Sequence, residues 1–177
     1  MKDYWPYLQN EIFDSRFEKA IEMIGSVKDK VILDLNCGTA RMLQYLPDDF
    51  KLYIGNDIND DFLEIARKWK TKNPATFIHC RDDEIMGYLS KVDIFMCFGI
   101  NSGQNKGIES ETEFETFKKV AGIFLPEVVV CEGWDYYEKN HKIISQRFDF
   151  LKPFGYKEIG EFFITSGMLR TLKVYRR

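Results

Sequence analysis

An α/β sandwich, a mostly parallel sheet held between two helical layers, is the fold class this sequence predicts, and three observations carry it. The first is the stretch Val31-Ile32-Leu33-Asp34-Leu35-Asn36-Cys37-Gly38-Thr39-Ala40. Apolar residues run into an acid, the backbone turns through small residues, and an amphipathic segment follows. That pattern is a buried strand feeding a tight loop into a helix N-terminus, an arrangement suited to nucleotide-like ligands. The second is a neighbouring apolar run from Lys51 to Gly55 that ends at Asp57. An acid at the tip of an adjacent strand is where a ribose offers its hydroxyls. The third is the alternation of short apolar runs with helical periodicity along the rest of the chain.

Each element follows from local chemistry. Leu8, Ile12, Phe13, Phe17, Ala20, Ile21 and Ile24 recur at helical spacing over 8–24, and Gly25 is a natural stop. Strand one is expected over 30–35, then a helix over 39–46 ended by Pro47. Strand two covers 51–56, and Asn59-Asp60-Asp61 caps a helix carrying Phe62, Leu63, Ile65, Ala66 and Trp69. Strand three runs 75–80 after the breaker Asn73-Pro74, with a short helix near 83–89. Strand four, 92–98, is apolar except for Asp93, as a strand covered on both faces should be. Gly99 to Gly107 reads as a polar loop, and Phe114, Phe117, Val120, Ala121 and Phe124 mark a helix over 109–124. Pro126 opens strand five, 127–131, and a long helix over about 135–151 ends near Pro153 and Gly155. The tail changes character, with strands over 156–164 and 168–175 separated by Thr165-Ser166-Gly167, a hairpin. Five strands joined by right-handed crossovers plus this hairpin make a seven-stranded, mostly parallel sheet with an antiparallel C-terminal pair. Without repeats, linkers or low-complexity segments, 1–177 reads as a single domain in which 1–25 supplies a covering N-terminal helix.

Composition narrows the function. The 177 residues, 45% hydrophobic and 30% charged, suit one globular core. A net charge of -3 gives no electrostatic reason to expect nucleic acid, and the basic group Arg170, Lys173, Arg176 and Arg177 reads as a solvated last strand and tail. No apolar run is long enough to span a membrane, and the N-terminus lacks the apolar core of a signal peptide. Cys37, Cys80, Cys97 and Cys131 form no C-x-x-C pair, which favours reduced thiols in a cytoplasmic protein over disulfides or a zinc site. Two histidines, His79 and His141, are too scattered for a metal cluster. Fifteen Phe, nine Tyr and three Trp supply material for stacking pockets as well as for the core.

Ligands of open α/β sheets sit at the carboxyl ends of the strands. Asp34, Asp57, Asp82 or Asp83, Phe98-Gly99 and Glu132-Gly133-Trp134-Asp135 all fall there. On these residues the chain resembles the class I S-adenosylmethionine-dependent methyltransferases, which share a Rossmann-like three-layer α/β/α fold. Their first motif, D-x-G-x-G-x-G, here reads Asp34-Leu35-Asn36-Cys37-Gly38-Thr39-Ala40. Gly38 is retained. Ala40 replaces the glycine where helix meets strand, and Asn36 replaces the first, Asn being the non-glycine residue that most readily enters left-handed backbone.

The resemblance implies a set of roles. Asp34 and the loop Asn36, Cys37, Gly38 and Ala40 would hold the methionine end of S-adenosylmethionine, with Gly38 giving backbone access. Asp57 would bond the ribose hydroxyls, Ile58 would lie against the adenine, and Asp82 would bond the adenine amino group, with Arg81 and Asp83 as the alternative candidates one residue to either side. Phe98 and Gly99 would line the methyl-donor side, and Asn101 and Ser102 would face the acceptor. Trp134 and Tyr4, together with Trp5, Tyr7, Asp135, Tyr136 and Tyr137, are the expected pocket walls. Glu132 and Asp135 are candidates for a base or an amine contact, Asp135 also for a helix cap. No catalytic residue is assigned, because in-line displacement on a sulfonium needs chiefly alignment.

Two other readings stand beside this one. A nicotinamide oxidoreductase would need G-x-G-x-x-G, and placing Gly38 second puts Arg41 where the third glycine must allow close packing. A catalytically inactive binding or regulatory module is motivated by the two substituted glycines. The acceptor expected for an active enzyme is a small molecule. Cys97-Phe98-Gly99-Ile100-Asn101-Ser102 lacks the [DN]-P-P-[YFW] of the family's adenine- and glutamine-methylating members, and no added domain or basic face suits a large polyanion.

Overall fold

Seven strands form one sheet in the order β3-β2-β1-β4-β5-β7-β6. They are β1 Val31–Leu35, β2 Leu52–Asp57, β3 Ala75–His79, β4 Ile94–Asn101, β5 Val128–Asp135, β6 Lys157–Ile164 and β7 Leu169–Arg176. β1 pairs in parallel with β2 and β4, β2 with β3, and β4 with β5, whereas β7 runs antiparallel between β5 and β6. The structure is a computed structural model and describes residues 14–101, 108–135, 148–164 and 169–177. Tyr4, Trp5, Tyr7, Ser102, Tyr136, Tyr137, His141 and the hairpin tip Thr165-Ser166-Gly167 lie outside the described residues.

The expected three-layer architecture is present. Helix α1, Ser15–Ile24, packs Phe17, Ala20 and Ile24 with Ile32, Ile94, Met96, Val128, Val130, Leu172 and Val174 on one face of the sheet. Helix α3, Ile108–Phe124, packs Phe114, Phe117, Val120 and Ala121 with Leu33, Leu35, Phe95, Cys97, Val129, Cys131 and Tyr175 on the other. Strands buried on both faces need apolar residues at successive positions, hence the near-continuous runs Val31–Leu35 and Val128–Cys131. Helix α2, Asp60–Ala66, begins where expected, with the Asn59 side chain accepting from the Asp61 amide at 3.1 Å. The sheet order reverses between β1 and β4, so a crevice opens at their carboxyl ends.

Several boundaries differ from the sequence reading. The helix expected over 39–46 is a single 3-10 turn, Arg41–Gln44, because Ala40 adopts left-handed backbone at φ 52 and the chain reaches Pro47 within two turns. The segment near 83–89 likewise narrows to Ile85–Tyr88. β4 and β5 run past the expected ends at Phe98 and Cys131, so Gly99, Asn101, Trp134 and Asp135 are strand residues rather than loop. The cause is non-local: β7 continues its ladder along β5 as far as Asp135↔Leu169, and β5 in turn carries β4 to Asn101↔Trp134 across an irregularity between Cys97 and Ile100. Asp135 therefore ends a strand, and the chain from Phe148 to Phe154 is 3-10 with Pro153 inside it; residues 136–147 of the expected helix lie outside the described residues.

Candidate functional site

The loop leaving β1 is set by three left-handed residues in alternation: Asn36 at φ 56, Gly38 at φ 55 and Ala40 at φ 52. Those are the glycine positions of the motif, and the backbone conformation is kept although two side chains have been added. Asn tolerates it. Ala40, fully buried, carries a backbone cost of about 1–2 kcal/mol, so the burden of that substitution is conformational rather than a matter of helix–strand packing. A Cβ built on Gly38 would meet nothing within 4 Å, which leaves open space above the loop.

Neighbouring strands hold this loop in place. The Cys37 amide donates to the Asn56 carbonyl at 2.8 Å, and the Ala40 amide to the Cys37 carbonyl at 2.8 Å. Asp82, just past β3, accepts from Asn36 Nδ2 at 2.9 Å and from Asn56 Nδ2 at 3.1 Å, joining the ends of β1, β2 and β3. Asp57 accepts from the Gly38 amide at 2.8 Å and, through its other oxygen, from the Asn59 amide at 2.8 Å. Beneath the loop, Gly55 leaves room for Cys37: a Cβ there would lie 2.7 Å from its Sγ.

Electrostatically this is a cluster of buried acids. Asp34 is 2% exposed; it accepts from the Tyr53 hydroxyl at 2.5 Å, and its Oδ1 has no hydrogen-bond partner among the described residues. Burial pushes its carboxyl up to about 7, opposed by the Tyr53 hydrogen bond and the Arg16 guanidinium. Burial also raises Asp57 and Asp82 above the usual carboxylate range, and it raises the Cys37 thiol beside Asp34 and Asp57. Ile58 stands 66% exposed beside Asp57, its carbonyl 2.9 Å from His79 Nε2. Asp83 is exposed and paired with Arg81 at 3.1 Å, so of these three neighbours Asp82 is the one built into the loop.

Across the crevice, Phe98 packs edge-on against Phe17 at 5.1 Å, with the Arg16 guanidinium 4.5 Å from the Phe17 ring centre and 5.8 Å from that of Phe98. Asn101 and Trp134 pair at the end of the β4–β5 ladder, and Gly99 lies in the irregularity between Cys97 and Ile100. Glu132, the candidate base, is fully buried: Arg16 Nη1 lies 3.0 Å from both of its oxygens, and Arg170 Nη1 donates to Oε1. A carboxylate sealed from solvent and held by two guanidiniums is not placed to take a proton from a substrate. The basic C-terminal group is a solvated tail only in part: Arg176 and Arg177 are exposed, whereas Arg170 and Lys173 are drawn into ion pairs. Lys173 is 6% exposed against Glu158 and Glu161, and Arg176 donates to the Ile24 carbonyl at 2.8 Å.

Arg16 and Arg170 are the site residues that sequence reasoning passed over. Strand parity held the signal: Arg170 shares its face with Leu172 and Val174, and Glu132 shares it with Val128 and Val130, all of them facing α1. Charges of opposite sign at inward parity on paired strands predict a buried ion pair.

A nucleoside carrying a charged amino-acid end fits these residues. The orphaned Oδ1 of Asp34 suits an ammonium, the clearance over Gly38 admits a close approach to backbone, and Asp57 with the exposed Ile58 suits a ribose and a flat base. No family model matches the chain. A curated relative, dTDP-3-amino-3,6-dideoxy-alpha-D-glucopyranose N,N-dimethyltransferase of Streptomyces fradiae, is 32% identical over 111 residues. The match covers 62% of this chain and 41% of that relative, so the chain aligns with less than half of its length. Magnesium protoporphyrin IX methyltransferase of Synechocystis PCC 6803, solved with bound S-adenosylhomocysteine, superposes with a TM-score of 0.66 at 13% identity, covering 99% of this chain and 93% of that one. The [4+2]-cyclase SpnF superposes with a TM-score of 0.68 at 10% identity, covering 93% and 80%. In strand order, in its reversed final hairpin and in these likenesses, the chain has the fold of the class I S-adenosylmethionine-dependent methyltransferases.

Proposed function

We propose that the chain binds S-adenosylmethionine and transfers its methyl group to a small-molecule acceptor. The observation that carries this reading is the β1 loop. Three left-handed residues are kept at the motif positions despite the strain at Ala40, with an orphaned buried acid at one end and Asp57 at the other. Strained backbone of this kind is retained where a ligand needs it. In this reading Asp34 and the loop hold the amino-acid end, Asp57 bonds the ribose, and Ile58 covers the adenine. Asp82 acts at one remove: its oxygens tie Asn36 and Asn56 together and fix the loop on which the cofactor lies.

The bound cofactor supplies an already activated methyl group on a sulfonium. The protein's task is then to align the acceptor, and alignment is worth on the order of 7–11 kcal/mol. Phe98 and Phe17 wall the transfer side and keep water from it. Asn101 and Trp134 are adjacent in the β4–β5 register, and with Ser102 and Tyr4 they are the residues assigned to the acceptor in this reading. The dimethyltransferase from Streptomyces fradiae is named for a small amino-sugar acceptor, which supports the small-molecule reading.

The second reading is an inactive cofactor-binding or partner module, favoured by the two glycine substitutions in the loop. The likeness to SpnF, named as a cyclase, supports keeping a reading other than methyl transfer. Calorimetric titration with S-adenosylhomocysteine, with NAD as comparator, tests the proposal. One-site binding of the former alone is expected. Binding of neither would refute both the cofactor and the enzyme. Cofactor binding without methyl transfer across a panel of acceptors would select the inactive module.

A further inference from the structure

We propose that Tyr53 is a positioning residue for the cofactor: its buried hydroxyl holds one oxygen of Asp34 and leaves the other for the ammonium of S-adenosylmethionine. The inference rests on the cofactor-binding reading and names what prepares Asp34 for that role.

The sheet brings the two side chains together. β1 and β2 run in parallel with Ile32 beside Tyr53 and Asp34 beside Gly55. These four residues share one face of the sheet, and Tyr53 stands one residue pair behind Asp34. Gly55 adds no side chain next to Asp34, and Cys37 from the loop fills the place, its Sγ 2.7 Å from where a Gly55 Cβ would stand. Tyr53 is fully buried in the cluster beneath α1, its ring centre 6.0 Å from that of Phe77 on β3. A ring so enclosed has one polar atom to satisfy, and it does so by donating to Asp34 Oδ2 at 2.5 Å. Oδ1 of the same carboxyl is buried with no hydrogen-bond partner among the described residues. One oxygen is thus fixed from inside the sheet and the other is open to a donor.

The pair is asymmetric in chemistry as well. Burial and the nearby Asp34 hold the Tyr53 hydroxyl well above its usual range, so it stays protonated and serves Asp34 as a donor. A donor to a carboxyl favours its ionised form. Tyr53 from β2 and Arg16 from α1 push Asp34 that way, Asp57 at the end of β2 opposes them, and the Cys37 thiol stands beside it in the loop. Arg16 acts through charge, its Nη1 being bonded to Glu132, whereas Tyr53 touches the carboxyl itself. Desolvation outweighs both, and Asp34 reaches about 7. An ammonium gains far more from a carboxylate than from a neutral acid. Binding therefore draws the proton off Asp34, and Tyr53 sets how readily it leaves.

Calorimetric titration with S-adenosylhomocysteine from about pH 5.5 to about pH 8, in buffers of different ionisation enthalpy, tests this on wild type, Tyr53→Phe and Asp34→Asn. Wild-type affinity should fall up to tenfold for each pH unit below about 7, with close to one proton released per cofactor at about pH 6. Tyr53→Phe keeps the ring and removes the donor, so its profile should move to higher pH by about one unit. Its affinity is then close to tenfold below wild type at about pH 6 and about twofold below it at about pH 8. Lost packing would instead lower affinity by one factor at every pH. Asp34→Asn should bind more weakly, with a flat profile and no proton release, which assigns the proton to Asp34. A wild-type protein that binds with a flat profile and releases no proton overturns the proposal, whether or not Tyr53→Phe folds, and leaves the cofactor reading standing. A Tyr53→Phe profile that matches wild type, or lies below it by a constant factor, also overturns it. Absence of binding at every pH removes this inference and the cofactor reading together.

Discussion

Replacing Asn36 with glycine is the sharpest test of how the loop is built. The motif alone suggests a neutral or favourable change, since glycine is the residue expected at a left-handed position. The structure predicts the opposite. Asn36 Nδ2 donates to Asp82 at 2.9 Å, a hydrogen bond to a carboxylate worth about 1.5–3 kcal/mol when its loss leaves a half-buried oxygen unmet. Relief of left-handed strain at φ 56 returns at most about 1 kcal/mol for an Asn, and the added freedom of glycine in the unfolded chain removes about 0.5–1 kcal/mol. The net is a loss of about 2 kcal/mol, or roughly 4–8 °C in Tm for a chain of this size. Urea unfolding gives the magnitude. A double-mutant cycle with Asp82→Ala should return a coupling of about 1 kcal/mol or more. A stabilised Asn36→Gly protein, or a coupling indistinguishable from zero, would refute the assignment of Asn36 as a strut between β1 and β3.

Three other outcomes follow from the same geometry. Asp34 binds its proton more tightly in the fold than in the unfolded chain, since burial lifts it from 3.8 to about 7. Its contribution to stability is therefore greatest at low pH and falls as pH rises from about 4 to about 7; Asp34→Asn should remove that component, seen by comparing denaturation of the two proteins at pH 5 and pH 8. Asp57→Ala should weaken S-adenosylhomocysteine binding by about 1–3 kcal/mol and also lower Tm, because Asp57 accepts from the Gly38 and Asn59 amides as well; unchanged calorimetric affinity would exclude it from the ribose site. Glu132→Ala should destabilise the protein by about 3–5 kcal/mol by leaving two guanidiniums facing each other in a desolvated place, and a loss under 1 kcal/mol on urea unfolding would show that solvent reaches the cluster.

What the sequence determined is what local chemistry dictates. Apolar runs bounded by breakers located every strand, the acid-then-small-residue turn marked the β1 loop, and Asn59 announced the start of α2. Asn36 in left-handed backbone was legible because few other side chains tolerate it. The tertiary structure decided whatever depends on residues distant in the chain. β4 and β5 extend to Asn101 and Asp135 because a C-terminal strand pairs alongside them, and no local signal encodes a partner more than thirty residues away. The Ala40 turn cut a helix down to 3-10 because the loop geometry is held from the ends of β2 and β3, through Asn56, Asp57 and Asp82, in addition to its own Ala40–Cys37 bond. Arg170 read as part of a solvated tail until the sheet order placed β7 between β5 and β6, next to Glu132 and under Arg16. Charge on a strand shows its sign in the sequence, but whether water or a counter-ion meets it is settled only by what the fold packs on top.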